Sequence, residues 1–185
     1  MKPAMTTDDS SIAIAANTDA KVMPALRRPQ LDDAKAIHGL IRACPPLDVN
    51  SLYVYLLLAH HHPDTCVVAQ APGGELQGFV SAYVPPATPD VLFVWQVAVH
   101  ESARGLGLGG AMLRSLFERP SLSGVRFIET TVGPDNAASR GMFSSLARRL
   151  KTQINESALF ETHHFGEQAH EEERLLRLGP LALPG

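Results

Sequence analysis

Residues 91–118 read VLFVWQVAVHESARGLGLGGAMLRSLFE, and this stretch decides the fold. Residues 91–99 are apolar apart from Gln96, which predicts a strand that is buried on both faces. Apolar side chains then recur at helical spacing from about Gly107 to Glu118, which predicts an amphipathic helix. A glycine-rich loop from Arg104 to Gly110 joins the two elements. The stretch therefore predicts a strand–loop–helix unit within an α/β fold.

The glycine-rich loop has the chemistry of a diphosphate site. Glycines at 105, 107 and 109 have no Cβ, so their backbone amides are open to close approach by a ligand. A helix that begins there directs its unpaired N–H groups and the positive end of its dipole to the same point. Arg104 adds a fixed positive charge. The alternative is a glycine-rich turn that binds nothing.

The loop fits one known phosphate-binding pattern in part and lacks another. Gly105, Gly107 and Gly110 fit G-x-G-x-x-G, and Glu129 follows at the distance typical of a dinucleotide-binding fold. Residues 100–104 separate the loop from its strand, however, and roughly half of the chain precedes it, which is atypical of that fold. The absence of Gly-Lys-Ser/Thr from the sequence excludes a Walker loop.

The rest of the chain alternates predicted strands and helices. Further strands are predicted near residues 25–29, 65–70, 76–84 and 125–132, with two more between 157 and 178. Helices are predicted over 32–43, from Leu52 to Ala59 with Asn50 as the cap, and over about 136–150. The sequence Pro72-Gly73-Gly74 predicts a hairpin. This alternation predicts a mixed α/β sheet.

Length and composition limit the organisation of the chain. Its 185 residues correspond to about one domain, and we predict a flexible N-terminal leader over 1–24 and a single domain over 25–185. A net charge of −3 disfavours a nucleic-acid surface. No apolar stretch approaches the twenty or so residues of a bilayer span, so no membrane partner is expected. The two cysteines suit a reducing cytoplasm.

Arg104, Gly107 and Gly109 also match the pattern Arg/Gln-x-x-Gly-x-Gly/Ala after a central strand. This pattern resembles the pyrophosphate loop of the GCN5-related N-acetyltransferases (GNAT). The resemblance implies acetyl-CoA as co-substrate and a mixed, mostly antiparallel sheet with splayed central strands flanked by helices. The cofactor contacts that it implies are Val97, Ala98, Val99, Arg104, Gly105, Leu106, Gly107, Leu108, Gly109, Gly110 and Asn136. Phe143 stands where many members of this family have a tyrosine that protonates the thiolate.

A narrower resemblance covers about residues 27–178. The stretches at 44–51, 53–58 and 93–99 resemble one branch of that family, the diaminobutyrate acetyltransferases of ectoine synthesis. The branch implies transfer of acetyl to the 4-amino group of L-2,4-diaminobutyrate, a role in osmoadaptation, and a homodimer. No covalent enzyme intermediate is needed for this transfer.

The predicted substrate has two ammonium groups, so its recognition calls for carboxylates. Asp48 and Glu173 are the candidates for amine binding and proton acceptance, with Tyr53 as a proton relay. Trp95 is predicted to wall the amine pocket, and the resemblance suggests that His170 also reaches the substrate. The alternatives are a helix-dipole charge for Asp48, ordinary packing for Tyr53 and Trp95, helix capping for Asn136, and a solvated charge run near His170.

Metal binding is not expected. The consecutive residues His60, His61 and His62 point in different directions on a helix and do not converge on one ion. Three other functions stay open at this stage. They are acetylation of another small amine such as a polyamine or amino sugar, a non-catalytic acyl-CoA-binding module, and a nicotinamide-binding fold.

Overall fold

The computed structural model describes residues 22–167 and 170–182. In these residues the strands are β1 (Ala25–Arg27), β2 (Val67–Gln70), β3 (Leu76–Tyr83), β4 (Val91–Val99), β5 (Phe127–Val132), β6 (Ile154–Phe160) and β7 (Glu173–Leu178). The α-helices are α1 (Ala34–Arg42), α2 (Leu52–His61), α3 (Leu108–Phe117) and α4 (Ala137–Leu150). Each predicted element is present, with ends that shift by a few residues. Residues 1–21 of the predicted leader lie outside the described residues.

The strands form one sheet in the order β1-β2-β3-β4-β5-β7-β6. Neighbouring strands are antiparallel except β4 and β5, which are parallel. The hairpin of β2 and β3 forms as the turn residues predict. The predicted mixed, mostly antiparallel sheet flanked by helices is confirmed.

The two central strands separate along their length. β4 and β5 pair from Val91 with Phe127 to Val94 with Thr130, and the pairing stops there. β4 continues to Val99, so residues 95–99 have no partner strand on the β5 side. Backbone groups without a ladder partner are available to a ligand. The predicted splay is therefore present, and it opens the sheet at its centre.

A β-bulge interrupts β4 at Trp95. Ser81 pairs with Gln96, and the next residue of β3, Ala82, pairs with Val94, so Trp95 is an extra residue without a partner. From the bulge to the end of the strand, Trp95, Val97 and Val99 are the more exposed residues, and Gln96 and Ala98 between them are buried. A bulge shifts the alternation of side chains by one residue, which periodicity in the sequence does not reveal.

Helices cover both faces of the sheet. On one face, α3 and α4 pack Met112, Leu113 and Leu146 against Leu92 and Ile128. On the other face, the buried side chains come from α1, α2, β2 and β3, namely Ile37, Ile41, Tyr55, Val68 and Phe79. Each such side chain contributes about 1.5–3 kcal/mol of hydrophobic stabilisation. None of the described helices is long and apolar enough to cross a membrane.

Two helix starts lie beside the central opening. Asn136 caps α4, because its side-chain oxygen accepts a hydrogen bond from the Ser139 N–H at 3.0 Å. The cap predicted for α2 is wrong. Ser51, in an extended conformation, precedes that helix. The amide nitrogen of Asn50 is buried, and none of residues 22–167 and 170–182 forms a hydrogen bond with it.

Candidate active site

A cavity of about 710 Å³ opens where β4 and β5 part. The loop before α2, the start of α4 and the segment before β7 complete its walls. Of the residues that the sequence predicts for the site, the cavity is lined by Asp48, Trp95, Val97, Asn136, His170 and Glu173. The fold thus brings together residues from distant parts of the chain. Ligand sites commonly combine an apolar cavity with a few convergent polar groups in this way.

Glu173 is the half-buried carboxylate of this cavity. It is the first residue of β7, and its Oε2 atom is buried with no hydrogen-bond partner within the part of the chain that the structure describes. Burial raises the pKa of Glu173, because the charged form loses hydration, and the nearby His170 opposes this shift. A carboxylate with a raised pKa and a free oxygen is suited to accept a proton.

His170 connects Glu173 to the loop before α2. The Nε2 atom of His170 lies 3.8 Å from Oδ2 of Asp48. The His170 ring stacks on Phe165, with 4.0 Å between ring centroids and an interplanar angle of 14°. The side chain of Asp48 is 84% exposed, so it reaches the cavity from the solvent side.

The two predicted aromatic contacts differ in position. Trp95 is 42% exposed and lines the cavity, beside the bulge that frees it from the ladder. Tyr53 is 65% exposed and is not among the residues that line the cavity. Tyr53 lies outside the cavity lining because the rotation of α2 turns its side chain toward solvent. Tyr55, two residues further on, is the buried aromatic of that helix, and its hydroxyl lies 3.5 Å from Oε1 of Gln96.

The glycine-rich loop forms a second, smaller cleft of about 290 Å³, lined by Gly105, Gly107, Gly109 and Gly110. Gly105 and Gly107 have φ values of +81° and +69°, a region that favours glycine. Gly107 is the residue that precedes α3, so the unpaired amides of that helix begin in the cleft. The loop has the geometry expected of a phosphate site.

The other predicted cofactor residues do not line this cleft, and two of them, Val97 and Asn136, line the larger cavity instead. The Nε of Arg104 donates to the carbonyl of Val99 at 3.4 Å, so this guanidinium reaches back to the end of β4. The side chains of Leu108 and Ala98 are buried in the two cores, which leaves only their main-chain groups for a ligand. Leu106 packs at the edge of the first core.

Sequence reasoning missed two arginines at the cleft. Arg114 and Arg149 line it from α3 and α4, and no described residue forms an ion pair with either. The Nη1 atom of Arg114 lies 3.4 Å from where a Cβ on Gly110 would be. The signal for Arg114 was its spacing, because residues four apart on a helix share a face. Arg149 could not be found from the sequence, because only the tertiary packing of α4 against α3 brings it to the cleft.

Cys44 and Cys66 are both free and buried. Burial raises the pKa of each thiol, to about 11 for Cys66, so both are protonated near neutral pH. Buried thiols with a raised pKa are typical of cysteines that pack in a core rather than react. Within residues 22–167 and 170–182, no group of three or more His, Cys, Asp or Glu side chains is arranged to hold a metal ion.

The Acetyltransferase (GNAT) family matches residues 34–147 of this chain, and the chain belongs to that family. A protein of Bordetella parapertussis named L-2,4-diaminobutyric acid acetyltransferase is 55% identical over 159 residues, covering 86% of each chain. A protein of the same name from Chromohalobacter salexigens is 46% identical, covering 92% of this chain and 88% of the relative.

A solved structure extends this similarity to three dimensions. It is the diaminobutyrate acetyltransferase EctA of Paenibacillus lautus, in complex with its substrate L-2,4-diaminobutyric acid and coenzyme A. The TM-score is 0.81 at 41% identity, with 84% of this chain and 94% of that chain covered. The predicted family and its branch are therefore confirmed.

Proposed function

We propose that this chain transfers the acetyl group of acetyl-CoA to the 4-amino group of L-2,4-diaminobutyrate, by direct attack within a ternary complex. One observation carries the proposal: the cavity between the parted strands holds a half-buried carboxylate, Glu173, whose Oε2 atom has no hydrogen-bond partner among the described residues. The names of the relatives from Bordetella and Chromohalobacter, and the ligands of the Paenibacillus structure, support the choice of substrates.

The glycine-rich cleft is the proposed seat of the acetyl-CoA diphosphate. Amides of residues 105–110 donate to the phosphate oxygens, and the positive end of the α3 dipole stabilises their charge. Arg104 adds positive charge at the start of the loop, and Arg114 with Arg149 extend the positive charge along the cleft beyond the diphosphate. The pantetheine arm then passes between β4 and β5, beside Val97 and Asn136.

Amine activation is assigned to the acidic end of the cavity. An alkylammonium with a pKa of about 10 is almost fully protonated at neutral pH and cannot attack a carbonyl. Glu173 accepts the proton, directly or through water, and Tyr53 is the proposed relay. Asp48 and His170 bind the diamino acid at the same end, and Trp95 forms the wall. The exposed position of Tyr53 requires the first turn of α2 to move toward the cavity for this role.

The thioester is placed against the free edge of β4. Residues 95–99 lack a partner on the β5 side, so a backbone N–H near Val97 or Val99 is proposed to stabilise the oxyanion. Phe143 lines the cavity where many members of the family have a tyrosine, and its ring has no proton to donate to the departing thiolate. We therefore propose that water protonates the thiolate or that CoA leaves as the thiolate anion.

The test is to incubate the chain with acetyl-CoA and a panel of amines while free thiol is measured. We expect thiol release with diaminobutyrate. We expect no release at a comparable rate with a polyamine or an amino sugar. Thiol release with another amine but not with diaminobutyrate would show that the other amine is the substrate. CoA binding without any release would indicate an acyl-CoA-binding module, and NADH binding without CoA affinity would indicate a nicotinamide fold.

We further propose a homodimer in the cytoplasm that serves ectoine synthesis and osmoadaptation. Support for a dimer comes from large apolar side chains exposed on α2 and the loop before it, namely Val49, Leu52 and Leu57. Two unpaired thiols support a reducing compartment. Light scattering coupled to size exclusion measures the oligomeric state, and a monomer would contradict the proposed assembly.

A further inference from the structure

Gln96 is a buried polar residue beside the bulge of β4. Only 4% of it is exposed, and a buried amide requires hydrogen-bond partners. Its Nε2 donates to the main-chain carbonyl of Asp48 at 2.8 Å. Its Oε1 accepts from the hydroxyl of Tyr55 at the longer distance of 3.5 Å. The short hydrogen bond thus connects the central strand to the loop that carries Asp48.

The bulge explains why Gln96 reaches this loop. In a regular strand, residues two apart share a face, so Gln96 would lie with Val94 in the α3 and α4 core. Here Val94 pairs with Ala82 and Gln96 pairs with Ser81, and consecutive residues of β3 face opposite sides. The extra residue, Trp95, therefore turns Gln96 toward α2 and the loop before it.

Asp48 has few other restraints. Its side chain is 84% exposed, and its Oδ2 atom lies 3.8 Å from Nε2 of His170. Among the described residues, no main-chain hydrogen bond of a turn or loop involves the N–H or the carbonyl of Asp48. The amide of Gln96 is thus the direct hydrogen-bonded restraint on its main chain.

We propose that Gln96 is a positioning residue for the diamino acid substrate. It fixes the carbonyl of Asp48 and thereby holds the carboxylate of Asp48 at the end of the cavity that contains His170 and Glu173. Gln96 acts through Asp48, so its loss affects binding of the diamino acid more than binding of acetyl-CoA. This inference rests on the proposed function, because it assigns the substrate that Asp48 contacts.

The first test is Gln96→Leu, which keeps the approximate volume and removes both hydrogen bonds. We expect kcat/KM for diaminobutyrate to fall about tenfold, the effect of one buried hydrogen bond at a binding loop. KM for acetyl-CoA stays within about twofold. In an Asp48→Asn background, Gln96→Leu causes less than about a further twofold loss, because coupled residues are not additive. Equal losses for both substrates, or a full additional loss in the double variant, would overturn the inference.

A second variant keeps the test independent of folding. In Gln96→Glu, the protonated carboxyl can donate to the Asp48 carbonyl and the ionised carboxylate cannot. Its kcat/KM for diaminobutyrate, relative to the wild type, therefore rises as the pH falls, and the rise disappears in the Asp48→Asn background. Ser81→Ala is the matched control. It removes the hydroxyl that accepts from the Gln96 N–H at 3.1 Å and leaves the side-chain amide intact. A flat ratio for Gln96→Glu would refute the positioning role.

The two levels of the proposal fail differently. A wild-type chain that does not acetylate diaminobutyrate refutes the proposed function, and this inference with it. A wild-type chain that acetylates diaminobutyrate, together with an unchanged Gln96→Leu variant, refutes the role of Gln96 alone.

Discussion

The Nε2 atom of His170 lies 3.8 Å from Oδ2 of Asp48, which connects the segment before β7 with the loop before α2. Glu173 is three positions further along the chain, and burial together with the charge of Asp48 raises its pKa, against the effect of His170. These three groups therefore share one electrostatic environment. Variants of the three are expected to be non-additive, because a change in one charge alters the others.

Glu173→Gln should lower kcat by about 10² to 10⁴-fold, the range for loss of a general base. KM for acetyl-CoA should change little, because the glycine cleft is formed by other elements. In the wild type, the acid limb of kcat/KM for diaminobutyrate should lie above the usual pKa of a glutamate, since burial raises the pKa of Glu173. Loss of that limb in Glu173→Gln completes the test, and its retention would assign the limb to another group.

The same substitution has a predicted effect on stability. The folded-state pKa of Glu173 lies above the unfolded value, so ionised Glu173 opposes folding once the pH rises through this range. Glu173→Gln removes that penalty, and its free energy of unfolding near neutral pH should not fall below that of the wild type. At a pH below the pKa of Glu173 in the unfolded chain, the stability advantage of Glu173→Gln over the wild type should vanish. Denaturant unfolding at both pH values measures this, and a variant that is less stable at neutral pH would contradict it.

Asp48→Ala should reduce kcat/KM for diaminobutyrate about tenfold, at the low end for a hydrogen bond to a charged group because the carboxylate is exposed. KM for acetyl-CoA should remain close to the wild-type value. Initial rates with each substrate varied in turn provide the measurement. Similar losses for both substrates would show that Asp48 acts on the fold of the loop rather than on the amine.

Gly107→Glu should weaken CoA binding by at least about a hundredfold, because a carboxylate would face the diphosphate at close range. Gly107 has a positive φ, a conformation that asparagine tolerates better than most residues. Gly107→Asn therefore adds an uncharged side chain at this position and separates the effect of backbone strain from the effect of charge. Gly124→Glu places the same charge at a glycine with open space around it and serves as the control. Calorimetric titration with CoA measures all three, and wild-type affinity in Gly107→Glu would contradict the loop assignment.

Arg114→Ala and Arg149→Ala should each weaken CoA binding about three- to tenfold, as expected of exposed charge contacts. The cleft between α3 and α4 continues from the diphosphate loop, so we predict that these arginines contact the 3′-phosphate of CoA. Dephospho-CoA, which lacks that group, should bind both variants and the wild type alike. A loss of the same size with dephospho-CoA would place the arginines on the diphosphate instead.

Tyr53→Phe should lower kcat about tenfold if the hydroxyl relays a proton, with no change in KM for acetyl-CoA. Leu52→Ala, at the neighbouring exposed position of α2, is the control for packing of this surface. Steady-state rates in normal and heavy water report the proton step. Full turnover in Tyr53→Phe would remove Tyr53 from the mechanism and leave Glu173 as the sole acceptor.

The order and type of the elements followed from the sequence, because local pattern decides them. The apolar run of 91–99, the glycines of the loop and the amphipathic spacing after it each specify one element, and the elements occur where predicted. The bulge at Trp95 was not predictable, because it arises from the pairing of β3 with β4. The same limit applies to Asn50, whose burial depends on what packs over the start of α2.

The sequence by itself determined the family, the strand–loop–helix unit and the chemical types of the site residues, since these depend on local patterns and on motif resemblance. Only the tertiary structure decided which of them meet. It brought Asp48, His170 and Glu173 to one cavity, left Tyr53 outside the cavity lining, and turned Gln96 toward the loop of Asp48. The physical reason is that contacts between distant residues depend on strand register, helix rotation and burial, which are fixed by packing of the whole chain rather than by any local stretch.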